Sequence, residues 1–375
     1  MEAALATELS GLGAGRLEAV DGGVGFSGDL RVCYRANLES RIASRILWQL
    51  GEWRYRGDED VYRRTAELPW RELFDPRLTI RVNVSAVASP LRSLEFITLR
   101  IKDAVCDRFR RDAGIRPSVD TSQPDVRIHA FFDAGRFVLY LDSSGEPLFK
   151  RGWRTRSGEA PLRENLAAGL LALSGWQPGI PLLDPMCGSG TILVEAAMLA
   201  LRAPPGATRS FAFQRLTGFD AQLWASVQEE ARRRQLAPQP LAIYGADLYG
   251  EQLKLARANL TAAGLDDAVQ LKQANVLELP APATSGLILT NPPYGVRLGE
   301  QQDLATFYPK LGDVLKGRYT GWKVWIFTAD LRLPKLIGLR PARRIPLHNG
   351  ALECRLYGFE MVAGSARRAL RGKAE

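Results

Sequence analysis

Cysteine and histidine are scarce in this sequence: there are four cysteines (Cys33, Cys106, Cys187 and Cys354), none in a CxxC pair, and two histidines, His129 and His348. A disulfide framework and a bound metal are not expected, since both need clustered thiol or imidazole groups. Long apolar runs are missing as well. No window approaches the roughly 18 uninterrupted apolar residues of a membrane span, and the opening MEAALATELSGLG lacks the basic-then-apolar layout of a secretory leader. A soluble, cytoplasmic protein with reduced thiols and no membrane partner is expected. No internal repeat is visible.

What is present suits a globular chain of more than one unit. The 375 residues are 46% apolar and 24% charged, enough for ordinary cores in two or three domains. Net charge is +9 with a pI near 9.5. The excess is uneven: from Lys310 onward there are 14 Lys/Arg against 5 Asp/Glu, so this stretch alone carries +9. A polyanionic partner commonly accounts for such a surface, and a solubilising role accounts for it equally well. Charge supports a nucleic-acid partner without carrying the conclusion.

To about residue 60 the chain alternates a polar helix start, a short strand around 18–26 and an amphipathic helix over 38–50, a small α+β unit. LTIRVNVS (78–85) then has period two, 91–111 has helical spacing, and VRIHAFF (126–132) and RFVLYLD (136–142) read as strands. This β-α-β-β order describes a second sheet-and-helix module, with a loop over 112–124. Beyond residue 158 short apolar strands alternate with longer helices, the pattern of a parallel sheet with crossovers. Strands are expected at 180–183, 241–245, 269–273, 286–290, 323–328 and 352–360. Residues 203–218 are too rich in Pro, Gly and aromatics for a regular element, and an extra helix follows over 221–235.

Two turns carry the chemistry. LLDPMCGSGTILVEAAMLAL sets a strand, then Asp184-Pro-Met-Cys187-Gly188-Ser-Gly190, then a helix from about Thr191. The glycines permit close ligand approach, and the new helix offers free N–H groups. The loop is neither GxGxxG nor GxxxxGK[ST], so phosphate is a poor candidate ligand. Asp184 at the strand end suits a cationic ligand such as the ammonium and sulfonium of S-adenosylmethionine. Asp247, in YGADLYG, is placed to accept two ribose hydroxyls or to cap the next helix, whereas Asp220 reads as a helix N-cap. Asn275 is a candidate for the adenine edge, with turn formation its equal rival.

The second turn, LILTNPPYGVRLG, puts Asn291-Pro292-Pro293-Tyr294-Gly295 directly after an apolar strand. Consecutive prolines remove N–H donors and leave carbonyl oxygens exposed. The Asn291 side-chain oxygen and the Pro292 carbonyl can each accept one N–H of an exocyclic amine. That directs the nitrogen lone pair outward, so positioning and electrostatics supply the catalysis. Tyr294 can stack on an extruded base, and Arg297 can hold a neighbouring phosphate.

With this spacing, DPMCGSG and NPPYG resemble the class I amino-methyltransferases. GGVGFSGD, ASRILWQLGEW, APLRENLAAGLLALSGWQPGIPLLDPMCGSGTILVEAAMLA and LHNGALEC narrow the resemblance to the THUMP-containing bacterial 23S rRNA guanine-N2 methyltransferases. Across nearly its whole length the chain resembles the first half of their long form, which carries a second methyltransferase. The resemblance implies an α/β architecture: a Rossmann-like class I methyltransferase domain with a seven-stranded mixed sheet, preceded by an α+β ferredoxin-like unit and a THUMP RNA-binding domain. The expected bounds are 1–60, 61–155 and 156–363, with a basic tail over 364–375. It also implies S-adenosylmethionine as cofactor and RNA as partner, with tRNA the nearest alternative to 23S rRNA.

Residue by residue, the resemblance places Pro161, Leu162 and Glu164 beside the methionine end of the cofactor. Asp184, Cys187, Gly188 and Gly190 fall in the cofactor loop and Asp247 at the ribose. Asn275 stands where the family more often has Asp, and Asn291, Pro292 and Tyr294 form the amine pocket. Asn349 and Gly350 are either target-base contacts or a plain turn. Two competing readings are a DNA adenine-N6 methyltransferase, which has no reason to carry the first 155 residues, and a non-catalytic RNA-binding assembly factor, which has no chemical need for both turns.

Overall fold

The computed structural model describes residues 1–91, 93–154, 162–293 and 300–362. The chain opens with α1 (Glu2–Gly11), β1 (Gly15–Val20), β2 (Gly23–Ser27) and α2 (Leu30–Glu39). β1 and β2 form an antiparallel hairpin in place of the single strand expected over 18–26, because Gly22, at φ 76°, lets the chain reverse. Asp29 caps α2 by accepting from the Val32 N–H at 3.0 Å.

The helix expected over 38–50 does not form. α2 stops at Glu39, and Leu47–Arg54 is a strand, β3. Tertiary bonding decides this. Glu8 of α1 accepts from the Ser40 hydroxyl at 2.6 Å and from the backbone N–H groups of Arg41 (2.8 Å) and Ile42 (3.3 Å). Those two N–H groups are donors that a continuing helix would turn onto its own carbonyls. Leu38, Ile42 and Ile46 keep their four-residue spacing and their burial without a helix between them.

The second module contains α3 (Asp58–Glu67), α4 (Trp70–Leu73), β4 (Ile80–Ala86), α5 (Leu94–Ala113), β5 (Val126–Phe132) and β6 (Arg136–Asp142). Its sheet runs β3-β6-β5-β4, with β4 and β5 parallel. α5 packs against β4 and α3.

The remaining elements are α6 (Glu164–Ser174), β7 (Leu182–Asp184), α7 (Thr191–Ala200), a 3-10 turn (Ala212–Arg215), α8 (Ala221–Arg234), β8 (Ile243–Asp247), α9 (Gly250–Ala262), β9 (Gln270–Gln273), β10 (Gly286–Thr290), α10 (Glu300–Arg318), β11 (Trp322–Thr328), α11 (Leu333–Leu336), β12 (Arg343–Asn349) and β13 (Leu352–Glu360). Seven strands make the expected mixed sheet in the order β12-β13-β11-β10-β7-β8-β9. Five are parallel, while β13 and β12 run antiparallel to their neighbours. Leu182, Leu287, Ile288, Val324 and Ile326 are buried, the continuous apolar texture of strands covered on both faces. β12 had no counterpart among the expected strands. Its Pro346 reads as a strand breaker and is accommodated because β12 is the sheet edge.

Residues 203–218 act as a wedge between units. Phe213 stacks on Tyr34 of α2 at 4.4 Å, and Phe211 and Trp224 close the cluster. Gly206 donates to the Leu38 carbonyl at 2.9 Å, and a Cβ there would lie only 2.9 Å from that oxygen. Among the described residues no helix is long and apolar enough to cross a membrane.

Candidate active site

Both chemical turns leave the carboxyl edge of the sheet from adjacent strands. β10 pairs in parallel with β7, Ile288 opposite Leu183, so Asp184 and Asn291 end neighbouring strands at one rim. β8 lies on the other side of β7, with Asp184 opposite Gly245.

The glycine loop is held from three directions. Cys187 donates its N–H to Ala246 at 2.9 Å, Gly188 donates to Asp247 Oδ2 at 2.9 Å, and Asn259 of α9 reaches the Ser189 carbonyl at 2.9 Å. Gly188 (φ 52°) and Gly190 (φ 78°) both occupy the left-handed region. At Gly190 a Cβ would also meet the Ala256 Cβ at 3.1 Å, so the α7–α9 approach needs glycine there. Cys187 is buried, and burial pushes its thiol well above the usual range. A nucleophilic thiolate is therefore not its role.

Two carboxylates share this edge with little exposure, Asp184 at 2% and Asp247 at 8%. Burial pushes the Asp184 carboxyl up to about 7; the Asp247 charge adds to this, while the Thr290 hydroxyl and the Met186 N–H oppose it. The folded value lies above the ordinary 3.8, so the unfolded chain ionises first. The cofactor-free fold therefore loses stability as pH climbs from about 4 to about 7. A cation bound at Asp184 reverses the preference. S-adenosylmethionine affinity is expected to rise as pH passes through about 7, with proton uptake by buffer in calorimetry, and Asp184→Asn is expected to flatten that profile. An unchanged pH dependence in the variant would remove Asp184 from the cation site.

Asp247 accepts from Gly188 N–H and, at 3.0 Å, from Tyr249 N–H. It thus ties the glycine loop to its own turn, a linkage beyond both the ribose and capping readings. Beside it Leu248 and Tyr249 are 52% and 68% exposed, an apolar shelf at the rim that sequence reading passed over. An aromatic two residues after a strand-end carboxylate was the available signal. Asn275 accepts from Leu277 N–H at 3.0 Å, and its carbonyl accepts from Glu278 and Leu279, which is turn work.

Glu164 is buried and paired with Arg154 at 2.7 Å; Arg154 also donates to the Leu162 carbonyl and to the Thr191 hydroxyl, each at 3.0 Å. Arg154 therefore couples the segment before α6 to the first residue of α7. No sequence signal linked two positions so far apart. Pro161, Tyr294, Gly295, Arg297 and the 364–375 tail lie outside the described residues.

In the amine motif, Pro292 is buried and the Pro293 carbonyl accepts from the Tyr308 hydroxyl of α10 at 3.3 Å. The Asn291 Oδ1 is buried with no hydrogen-bond partner among the described residues. An unsatisfied buried acceptor is costly, about 1–3 kcal/mol, and a ligand N–H would relieve it.

Comparison with known proteins gives the family and the fold. A family model described as the RMKL-like methyltransferase domain matches residues 151–358, more than half of the chain. The chain belongs to the RMKL-like methyltransferase family. Models of a THUMP domain and of an RlmL ferredoxin-like domain match residues 55–142 and 1–47 of this methyltransferase. A Synechocystis protein provisionally named an RNA methyltransferase is 37% identical over 96% of this chain and 94% of its own length. The ribosomal RNA large subunit methyltransferase K/L of Aeromonas hydrophila is 40% identical over 97% of this chain, which spans only 54% of that longer protein. A crystal structure of a protein provisionally assigned as a methyltransferase, complexed with SAH, superposes with a TM-score of 0.86 at 31% identity, covering 96% of this chain and 94% of the other.

The residues present fit S-adenosylmethionine, the methyl donor of this family. A buried carboxylate, Asp184, suits its positive groups, a second, Asp247, suits ribose hydroxyls, left-handed glycines leave room at the loop, and no described Lys or Arg side chain bonds to the loop as a phosphate site would require.

Proposed function

We propose that this methyltransferase transfers a methyl group to the exocyclic N2 amine of a guanine in structured RNA, with large-subunit 23S rRNA as the substrate, in the cytoplasm. The observation that carries the reading is the Asn291 Oδ1, buried and without a hydrogen-bond partner among the described residues, at the strand end beside Asp184. The match to a THUMP domain and the ribosomal RNA named for the Aeromonas relative support RNA as the polymer.

When bound, S-adenosylmethionine supplies an electrophilic methyl carbon. Asp184 holds its cationic end, with Pro161, Leu162 and Glu164 flanking the methionine portion. Cys187, Gly188 and Gly190 shape the loop beneath it. Asp247 faces the ribose, Asn275, whose side-chain oxygen is spent on its own turn, offers only its amide N–H to the adenine edge, and exposed Tyr249 offers a stacking surface. Asn291 and the Pro292 carbonyl each accept one N–H of the target amine, directing its lone pair outward, and Tyr294 stacks on the base. A guanine N2 amine needs no strong base, because the proton is acidic once the nitrogen is methylated. Residues 1–60 and 61–155 serve as ferredoxin-like and THUMP units for RNA, and 156–363 as the methyltransferase domain.

The test incubates the protein with trideuteromethyl-labelled S-adenosylmethionine and separate pools of unmodified large-subunit rRNA, tRNA and duplex DNA. Nucleoside mass spectrometry is expected to find labelled N2-methylguanosine in the rRNA pool. Label confined to N6-methyladenine, or to tRNA, sinks the assignment.

A further inference from the structure

One turn at the rim of the site has no part in the reading above. β13 runs antiparallel to β11, and β12 antiparallel to β13. The Asn349–Gly350 tip between β12 and β13 therefore opens at the same edge as Asp184, Asp247 and Asn291. The strand order gives this position meaning. The cofactor turns follow β7 and β8, the amine motif follows β10, and the hairpin lies beyond β11. Methyl transfer is an in-line displacement, so the accepting nitrogen approaches from the side facing away from the sulfonium. The nucleic-acid strand must then lie over the β11–β13–β12 half of the rim.

Arg163 sits against that tip. A Cβ on Gly350 would lie 3.9 Å from its Nη2. Its guanidinium is centred 5.0 Å over the Phe149 ring, it is exposed, and no carboxylate among the described residues pairs with it. A guanidinium laid on an aromatic ring keeps its in-plane donors turned outward and has little freedom left to lose, which suits a two-oxygen acceptor such as a phosphodiester. The neighbouring Glu164 is fixed by Arg154, which also bonds Thr191 at the start of α7, so the place of Arg163 is tied to the cofactor loop. Exposed Arg344 and His348 continue the basic edge along the solvent side of β12.

We propose that Arg163, braced on Phe149, and the Asn349–Gly350 tip clamp a backbone phosphate of the RNA strand that presents the target base. The clamp sets how far the base reaches toward Asn291. It rests on the RNA reading above and deepens it. Phe149 belongs to the connector after β6, so the clamp stands where the four-stranded module meets the pocket.

The test uses the full chain and a fluorescein-labelled RNA hairpin with one unpaired guanine in its loop, followed by anisotropy over a range of KCl concentrations. Arg163→Ala is expected to weaken binding about tenfold and to lower the slope of log affinity against log salt by about 0.7–0.9, the signature of one lost phosphate contact. S-adenosylmethionine affinity by calorimetry is expected to stay at the wild-type value. Arg163→Lys keeps the charge without the stacked fork, and is expected to restore the slope but not the affinity. Gly350→Asp, at φ 65°, offers the guanidinium a competing carboxylate from a conformation aspartate tolerates, and is expected to reproduce the alanine effect. Unchanged affinity and slope in both Arg163→Ala and Gly350→Asp overturn the clamp, as does salt-independent binding by the wild-type protein. Wild-type protein that binds the hairpin with the expected slope but methylates no RNA overturns the methyl-transfer reading instead, and leaves the clamp to be decided by the slope.

Discussion

Asn291→Ala is expected to cut methyl transfer by about 10²–10³ while S-adenosylmethionine binds as in the wild type. The side-chain oxygen is buried and unpartnered among the described residues, at the end of the strand next to Asp184. It carries a desolvation cost in the ligand-free protein and repays it only against a donor that arrives with the substrate. Truncation should therefore leave the ligand-free fold as stable as before, or more so, because the orphan acceptor is gone. Loss of rate together with undiminished stability separates an amine clamp from a structural asparagine. Single-turnover rates and a thermal melt measure the two. Turnover within about threefold of wild type would end the proposed role.

Glu195→Ala is expected to destabilise the protein by about 3–5 kcal/mol, the usual cost of leaving a buried charge without its partner. Arg151 and Glu195 are paired at 3.2 Å with side chains 1% and 0% exposed. The same guanidinium donates to the Leu148 carbonyl at 2.6 Å and to the Arg41 carbonyl at 2.5 Å, while Arg41 reaches the carbonyls of Met198 (3.1 Å) and Ala203 (2.6 Å). One buried cluster thus joins the N-terminal unit, the connector after β6 and α7, the helix that follows the cofactor loop. The lowest-temperature calorimetric transition should fall, and cofactor affinity should fall with it. The double variant Arg151→Met/Glu195→Leu removes both charges and is expected to recover part of the loss. Equal melting of Glu195→Ala and wild type would show that the pair does not hold the units together.

How much of this was legible beforehand differed from one region to the next. The strand over 286–290 stands where composition put it, because a fully covered strand must be apolar along its length, and the strand over 352–360 stands where it was expected although its first two residues and its last are exposed. The helix over 38–50 failed because Ser40, Arg41 and Ile42 are bonded by Glu8, more than thirty residues earlier. Local periodicity holds no trace of such a partner. β12 was missed for the complementary reason: Pro346 argues against a strand unless the strand is known to be an edge. In the site, the two motifs could be read as turns at strand ends. The Arg154 bridge from Glu164 to Thr191 and the second task of Asp247 on Gly188 could not, since each joins residues brought near only by the sheet.

The residue pattern alone determined the class of chemistry, because glycines in a strand-to-helix turn and an Asn-Pro-Pro-Tyr turn owe their properties to local backbone constraints and to which polar groups they leave free. It also determined the order of modules, through the change from a β-α-β-β texture to alternating strands and helices. Only the tertiary structure decided that β7 and β10 are neighbours, that Asp184 is buried deeply enough to hold its proton near neutrality, that the Asn291 Oδ1 is buried without a partner among the described residues, and that Arg163 meets the β12–β13 tip. Burial, adjacency and the dielectric around a charge belong to the packed assembly. They arise from contacts between segments that are distant along the chain, and so no window of sequence contains them.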